Sequence, residues 1–174
     1  MGEFPLKDLA SFYLLGGRKE SLDFSPLLFH RYRTLTYRIF KSYGCEESVD
    51  LRFMRGETYY QQGAWVDLQV GKKPEIGIDL EYLVINFKIS NDIEYYAKRL
   101  KGFRFKSIAQ YVVFALLHEL GHFFDSDKVG VQDYMTLYSE DIKNKHHDEL
   151  EQEKYADWWA LKELSKWKRY WEGL

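Results

Sequence analysis

With 174 residues, 45% of them apolar and 30% charged, the chain has material for one folded domain with its own core and is too apolar for a disordered one. A formal net charge of −2 argues against a protein that works mainly by wrapping nucleic acid. Cys45 is the only cysteine, which excludes an intrachain disulfide and a cysteine-rich metal site.

In chain order, residues 1–24 read as an arm or short helix broken at Gly16-Gly17. They lack the basic start, apolar stretch and small-residue cleavage site of a secretory signal, and no later window approaches the roughly 18 apolar residues of a membrane span. The expected address is therefore the cytoplasm, without a membrane partner. Ser25-Pro26 is a helix start, a cap residue followed by proline where its missing N–H costs nothing. Leu28, Tyr32, Leu35 and Ile39 continue it at helical spacing, and Gly44 closes it.

The period then changes. Val49, Leu51 and Phe53 alternate, as do Val66, Leu68 and Val70, and then Ile76, Ile78 and Leu80. Gly71-Lys72-Lys73-Pro74 reads as a hairpin connection between the last two runs. These predict a small antiparallel sheet of about three strands, with Tyr82–Phe87 as an extension. Ile76–Leu80 is its expected edge, at which an extended substrate could add as a further strand.

Helical spacing returns after Asn91, with Asn91 and Glu94 at capping-box spacing. Ser107 caps a further helix through Ile108, Tyr111, Val112, Ala115 and Leu116 to about Phe124. Residues 126–147 read as polar and irregular, and a last helix is expected over about 148–170. Helix, sheet and then several helices make an α+β chain of one domain, 1–174. The cations Lys98, Arg99, Lys101, Arg104 and Lys106 read as a solvated connection between helices, with a regulator or nucleic-acid site as the rival reading. Trp158, Trp159, Trp167, Tyr170 and Trp171 read as a mixture of core and exposed surface.

Residues 118–122 are His-Glu-Leu-Gly-His. Positions four apart on a helix share one face, so His118 and His122 can offer two imidazole nitrogens to one zinc ion. Glu119 is rotated by about 100° from His118, within reach of a water at the ion without being a ligand. A catalytic zinc takes three protein ligands and keeps a position open. On the last helix Glu153 and Asp157 are again four apart. One of these carboxylates can complete the shell while the other accepts the outer N–H of an imidazole. Asp125 and Glu149 are rival third ligands. The metzincin pattern fails, because Asp125 and Lys128 stand where it requires a glycine and a third histidine.

HELGHFFD followed by EKYADWWALKEL resembles the Glu-zincins, metallopeptidases whose third ligand lies on a later helix, and is most similar to ImmA/IrrE-type peptidases. The resemblance covers about His118–Leu164. It implies a zincin-like fold, zinc held by His118, His122 and Glu153, Glu119 as general base, and Asp157 behind a histidine ligand. It further implies a protein substrate such as a transcriptional repressor. His146, His147, Tyr138 and Tyr155 are candidates for a second donor to the developing oxyanion. The rival to hydrolysis is a zincin-like protein that binds a partner without cleaving it. Oligomeric state is not legible.

Overall fold

The computed structural model describes residues 26–55, 63–89 and 91–172. The expected arm over 1–24 and the Ser25 cap lie outside the described residues, as do the side chains of the Asn91–Glu94 capping pair. Helix α1 (Pro26–Ser42) buries Tyr32, Leu35 and Ile39 of the predicted stripe together with Phe40, while Leu28 is half-buried. It ends at Gly44, whose φ of 65° is the left-handed conformation that glycine adopts without steric penalty.

Strands β1 (Asp50–Met54), β2 (Ala64–Asp67) and β3 (Glu75–Asp79) form one sheet in the order β1-β3-β2. β2 and β3 are an antiparallel pair with Val66 opposite Ile76, so the hairpin expected around Gly71 is present. Val70 lies beyond the end of β2 and is 62% exposed. β1 pairs with β3 in parallel, Leu51 opposite Ile76. The sheet is thus mixed, not antiparallel, and Ile76–Leu80 is not an edge: β3 is paired on both sides. Alternation along a strand fixes which face is buried but not which strand becomes its neighbour. Placing β3 centrally covers Ile76 and Ile78 completely.

The Tyr82–Phe87 extension is also corrected, for Leu80–Ile89 is helix α2. Its aromatic and β-branched residues favour strands only weakly by themselves. Asp79 decides the outcome locally: its Oδ1 accepts from the Tyr82 N–H at 2.9 Å, capping a first turn directly after β3. Leu80, Leu83 and Val84 then enter the core at helical spacing.

Helix α3 (Asn91–Arg99) leads to α4 (Ile108–Val129) through a connection whose cations are exposed but which buries Leu100 and Phe105. Ser107 Oγ accepts from the Gln110 N–H at 3.2 Å, the cap that the sequence predicts. α4 is the axis of the core, with Val112, Val113, Leu116, Leu117 and Leu120 fully buried and α1, α2, β2 and the last long helix packed around it. It runs past Phe124 to Gly130, and α5 (Val131–Asp141) follows at once. The irregular reading of 126–147 is therefore wrong over 126–129 and 131–141. Only Tyr134 of α5 is buried, too little apolar periodicity for the sequence to display. The helix expected over 148–170 is broken into a 3₁₀ turn (His147–Glu149), α6 (Glu151–Leu164), a second turn (Ser165–Trp167) and α7 (Lys168–Trp171). Trp171 is buried and Trp158 exposed. Among the described residues no helix is long and apolar enough to cross a membrane.

Candidate metal centre

The site exists because α4 and α6 cross closely. Gly121, inside the His-Glu-Leu-Gly-His run, faces Ala156, inside Glu-Lys-Tyr-Ala-Asp. A Cβ at Gly121 would lie 2.9 Å from the Ala156 Cα and 3.3 Å from its carbonyl oxygen. Both atoms belong to backbone and cannot step aside as a side-chain tip would. Two small residues therefore set the helix separation that brings His118 and His122 to Glu153 and Asp157. Gly121→Ala gains helix propensity, but overpacking here is expected to win, lowering stability by about 1–3 kcal/mol in chemical denaturation and weakening metal uptake in the same protein.

At the crossing, His118 Nε2 and His122 Nε2 are 3.0 Å apart. Glu153 presents Oε2 to His118 Nε2 at 3.2 Å and Oε1 to His122 Nε2 at 3.4 Å. One donor atom from each residue lies within 4.8 Å of the others, and His122 and Glu153 are buried. The two nearest rivals, Asp125 and Glu149, lie outside this set of three. Bonds of about 2.0–2.1 Å to a tetrahedral ion put neighbouring ligand atoms about 3.3 Å apart, close to the spacings found.

Each imidazole has a polar neighbour behind its outer nitrogen. His118 Nδ1 lies 3.0 Å from Asp157 Oδ1, close enough for an ion pair though short of good hydrogen-bond alignment. His122 Nδ1 is 2.6 Å from the Tyr134 hydroxyl. An N–H donated outward to either partner leaves the Nε2 lone pair facing the other ring. The α5 helix thus supplies a positioning group that the sequence does not reveal. Tyr134→Phe is expected to cost about tenfold in metal affinity, measured by competition with a chromophoric chelator, without unfolding the protein.

Among the described residues the buried charges of this cluster do not cancel. Glu119, Glu153 and Asp157 are buried carboxylates, and the fixed cation buried with them is Arg99, with its side chain 9% exposed. Three carboxyl groups against one guanidinium leave an excess of acidic groups, a balance that protons or a divalent ion can restore. Burial opposes charge on His118, yet Asp157 and Glu153 outweigh it and push its pKa up to about 10. Burial likewise opposes ionisation of Glu153, but contacts with His118, His122 and His147 hold its carboxyl far below the usual range. Asp157 is also lowered: burial opposes this, and His118 and Arg99 prevail. Burial pushes the Glu119 carboxyl up, against the pull of the two histidines.

The remaining candidates separate cleanly. His147 Nε2 is 3.0 Å from Glu153 Oε1, and its side chain is 45% exposed, so it stands at the mouth of the cluster. Tyr138 lies beside it, ring centroids 6.5 Å apart. Burial, with the charges of Glu153 and Glu119, pushes the Tyr138 hydroxyl up to about 12, so it stays a donor at neutral pH. Tyr155 instead accepts from Lys128 at 2.6 Å and packs on Trp158, and His146 is exposed and outside the set of three. The basic run expected to be solvated is so except at one position: Arg99 turns inward while Lys98, Lys101, Arg104 and Lys106 stay exposed. Comparison with protein-family models, with curated proteins and with solved structures gives no match for this chain.

Proposed function

We propose that the chain is a zinc-dependent endopeptidase of the zincin type, similar to ImmA/IrrE peptidases, that hydrolyses a protein substrate such as a transcriptional regulator. The observation that carries this reading is the convergence of two Nε2 atoms and one carboxylate, with His122 Nδ1 on the Tyr134 hydroxyl and His118 Nδ1 beside Asp157, in a cluster where buried carboxylates outnumber the buried guanidinium. Zinc suits two nitrogens and one oxygen, and this set leaves a coordination position open, as hydrolytic sites do. His118, His122 and Glu153 would hold the ion. When bound, zinc supplies Lewis acidity that polarises a carbonyl and makes water a competent nucleophile near neutral pH.

The chain's own groups supply the rest. Glu119 takes a proton from the attacking water and delivers it to the departing amine, a role suited to a carboxyl whose proton affinity is raised by burial. Asp157 and Tyr134 keep both imidazoles turned inward. His147 and Tyr138, at the mouth, are the donors best placed to meet negative charge developing on the scissile carbonyl oxygen. Among the described residues β2 is paired on one side only, and it packs against α4. It therefore replaces β3 as the strand on which an extended substrate would be aligned.

The test uses a whole-proteome peptide mixture incubated with the zinc-loaded chain and read by mass spectrometry for new termini. Termini that appear with the wild type and vanish with chelator support the proposal. A chain that holds one zinc and generates none under any condition fits the non-cleaving binder instead.

A further inference from the structure

Arg99 closes α3, and every arm of its guanidinium is engaged. Nε donates to Asp157 Oδ2 at 2.6 Å, and Nη2 donates to Asp157 Oδ1 and to Glu153 Oε2, each at 3.0 Å. Nη1 reaches the Tyr95 hydroxyl and Asp148 Oδ1, each at 3.4 Å, and Tyr95 itself donates to Asp148. The side chain is 9% exposed although it belongs to a run of otherwise solvated cations. A guanidinium is costly to bury unless its donors are matched, and here they are matched to the two carboxylates of α6 that face the histidines.

The consequence for the candidate metal centre is geometric. Arg99 takes Asp157 with two parallel contacts, the fork arrangement that fixes a carboxylate plane as well as its position. Asp157 Oδ1 is the atom beside His118 Nδ1, so the plane of one group sets the aim of the other. On Glu153, Arg99 occupies Oε2 while His147 occupies Oε1, and the carboxylate is gripped from both ends. Resting on the metal reading above, we infer that Arg99 is a positioning residue for the ion. Its fork orients Glu153 directly and His118 through Asp157.

A contrary effect gives the inference a definite sign. A fixed positive charge this close repels a dication, so if charge were all that mattered, removing it would tighten metal binding. If the fork matters, removal weakens binding, and lysine, which keeps the charge as a point without the planar fork, does not restore it. The experiment compares wild type, Arg99→Lys and Arg99→Gln as full chains, folding checked by circular dichroism. Zinc affinity is read by chelator competition, and cobalt(II), added alone as a coloured substitute, reports coordination through its visible absorption bands.

The expected result is a loss of about 10- to 100-fold in zinc affinity in both variants, with displaced or weakened cobalt bands. Wild-type affinity and bands in Arg99→Lys would overturn the inference and leave the metal reading standing, as would tighter binding in Arg99→Gln. A wild type that takes up neither ion would remove the metal reading itself. Should the Arg99 variants not fold, Tyr95→Phe decides. It removes one partner from the far arm of the guanidinium without changing any charge, and a smaller shift in the same direction is expected. No shift there would sink the proposal.

Discussion

Glu119→Gln is expected to hold zinc as tightly as the wild type while its peptide cleavage falls by about 10²–10⁴-fold, the range associated with loss of general acid–base catalysis. The substitution nearly conserves volume at a site only 8% exposed, so neither a cavity nor overpacking intervenes. It removes a carboxyl that is not among the three donors, so the metal set remains intact. Burial already disfavours the ionised form of Glu119, and its loss should leave the melting temperature level or raise it. The three measurements are zinc stoichiometry, thermal melting and the yield of new peptide termini. Cleavage at the wild-type rate by the zinc-loaded Glu119→Gln variant would remove Glu119 from the chemistry. Silence in both proteins, with zinc bound in both, would favour a partner-binding role.

That prediction draws on the part of the site most legible in the sequence. His118, Glu119 and His122 sit in five consecutive residues, and their geometry follows from helix spacing once Ser107 is seen to cap the helix. Glu153 and Asp157 are legible for the same reason, since four-residue spacing puts them on one face. Arg99 and Tyr134 are not legible. Arg99 meets Asp157 across 58 positions of sequence, and nothing in its basic surroundings marks it as the cation that turns inward. Tyr134 depends on the break at Gly130, after which a helix with one buried residue packs against α4. Strand order is illegible on similar grounds. The Leu51–Ile76 and Val66–Ile76 pairings depend on which partner reaches each side of β3, whereas alternation reports only burial. The difference at Tyr82–Phe87 is of another kind, because the decisive residue, Asp79, stands in the sequence and is itself a capping type.

Glu153→Ala is expected to abolish zinc-dependent stabilisation and, separately, to destabilise the metal-free fold. The two effects have different origins and can be measured apart. An ion that binds only the folded chain adds about 4 kcal/mol when its concentration is a thousand times the dissociation constant. For a chain of 174 residues that corresponds to a rise in Tm of about 8–16 °C. With the carboxylate removed, the histidine pair alone should hold zinc too weakly for this rise to appear. The metal-free effect comes from the groups left behind: Arg99 Nη2 loses its contact with Oε2, and His147 loses Oε1. Breaking a buried ion pair by deleting one partner costs about 3–5 kcal/mol, and Asp157 and Asp148, which still hold the guanidinium, should keep the loss near the lower end. Glu153→Gln separates the terms. Its amide oxygen can still accept from Arg99, so the metal-free fold should recover most of its stability, while a neutral amide remains a poor zinc ligand and the zinc-induced rise should stay small. A full rise in Tm with Glu153→Ala would mean that the ion sits elsewhere.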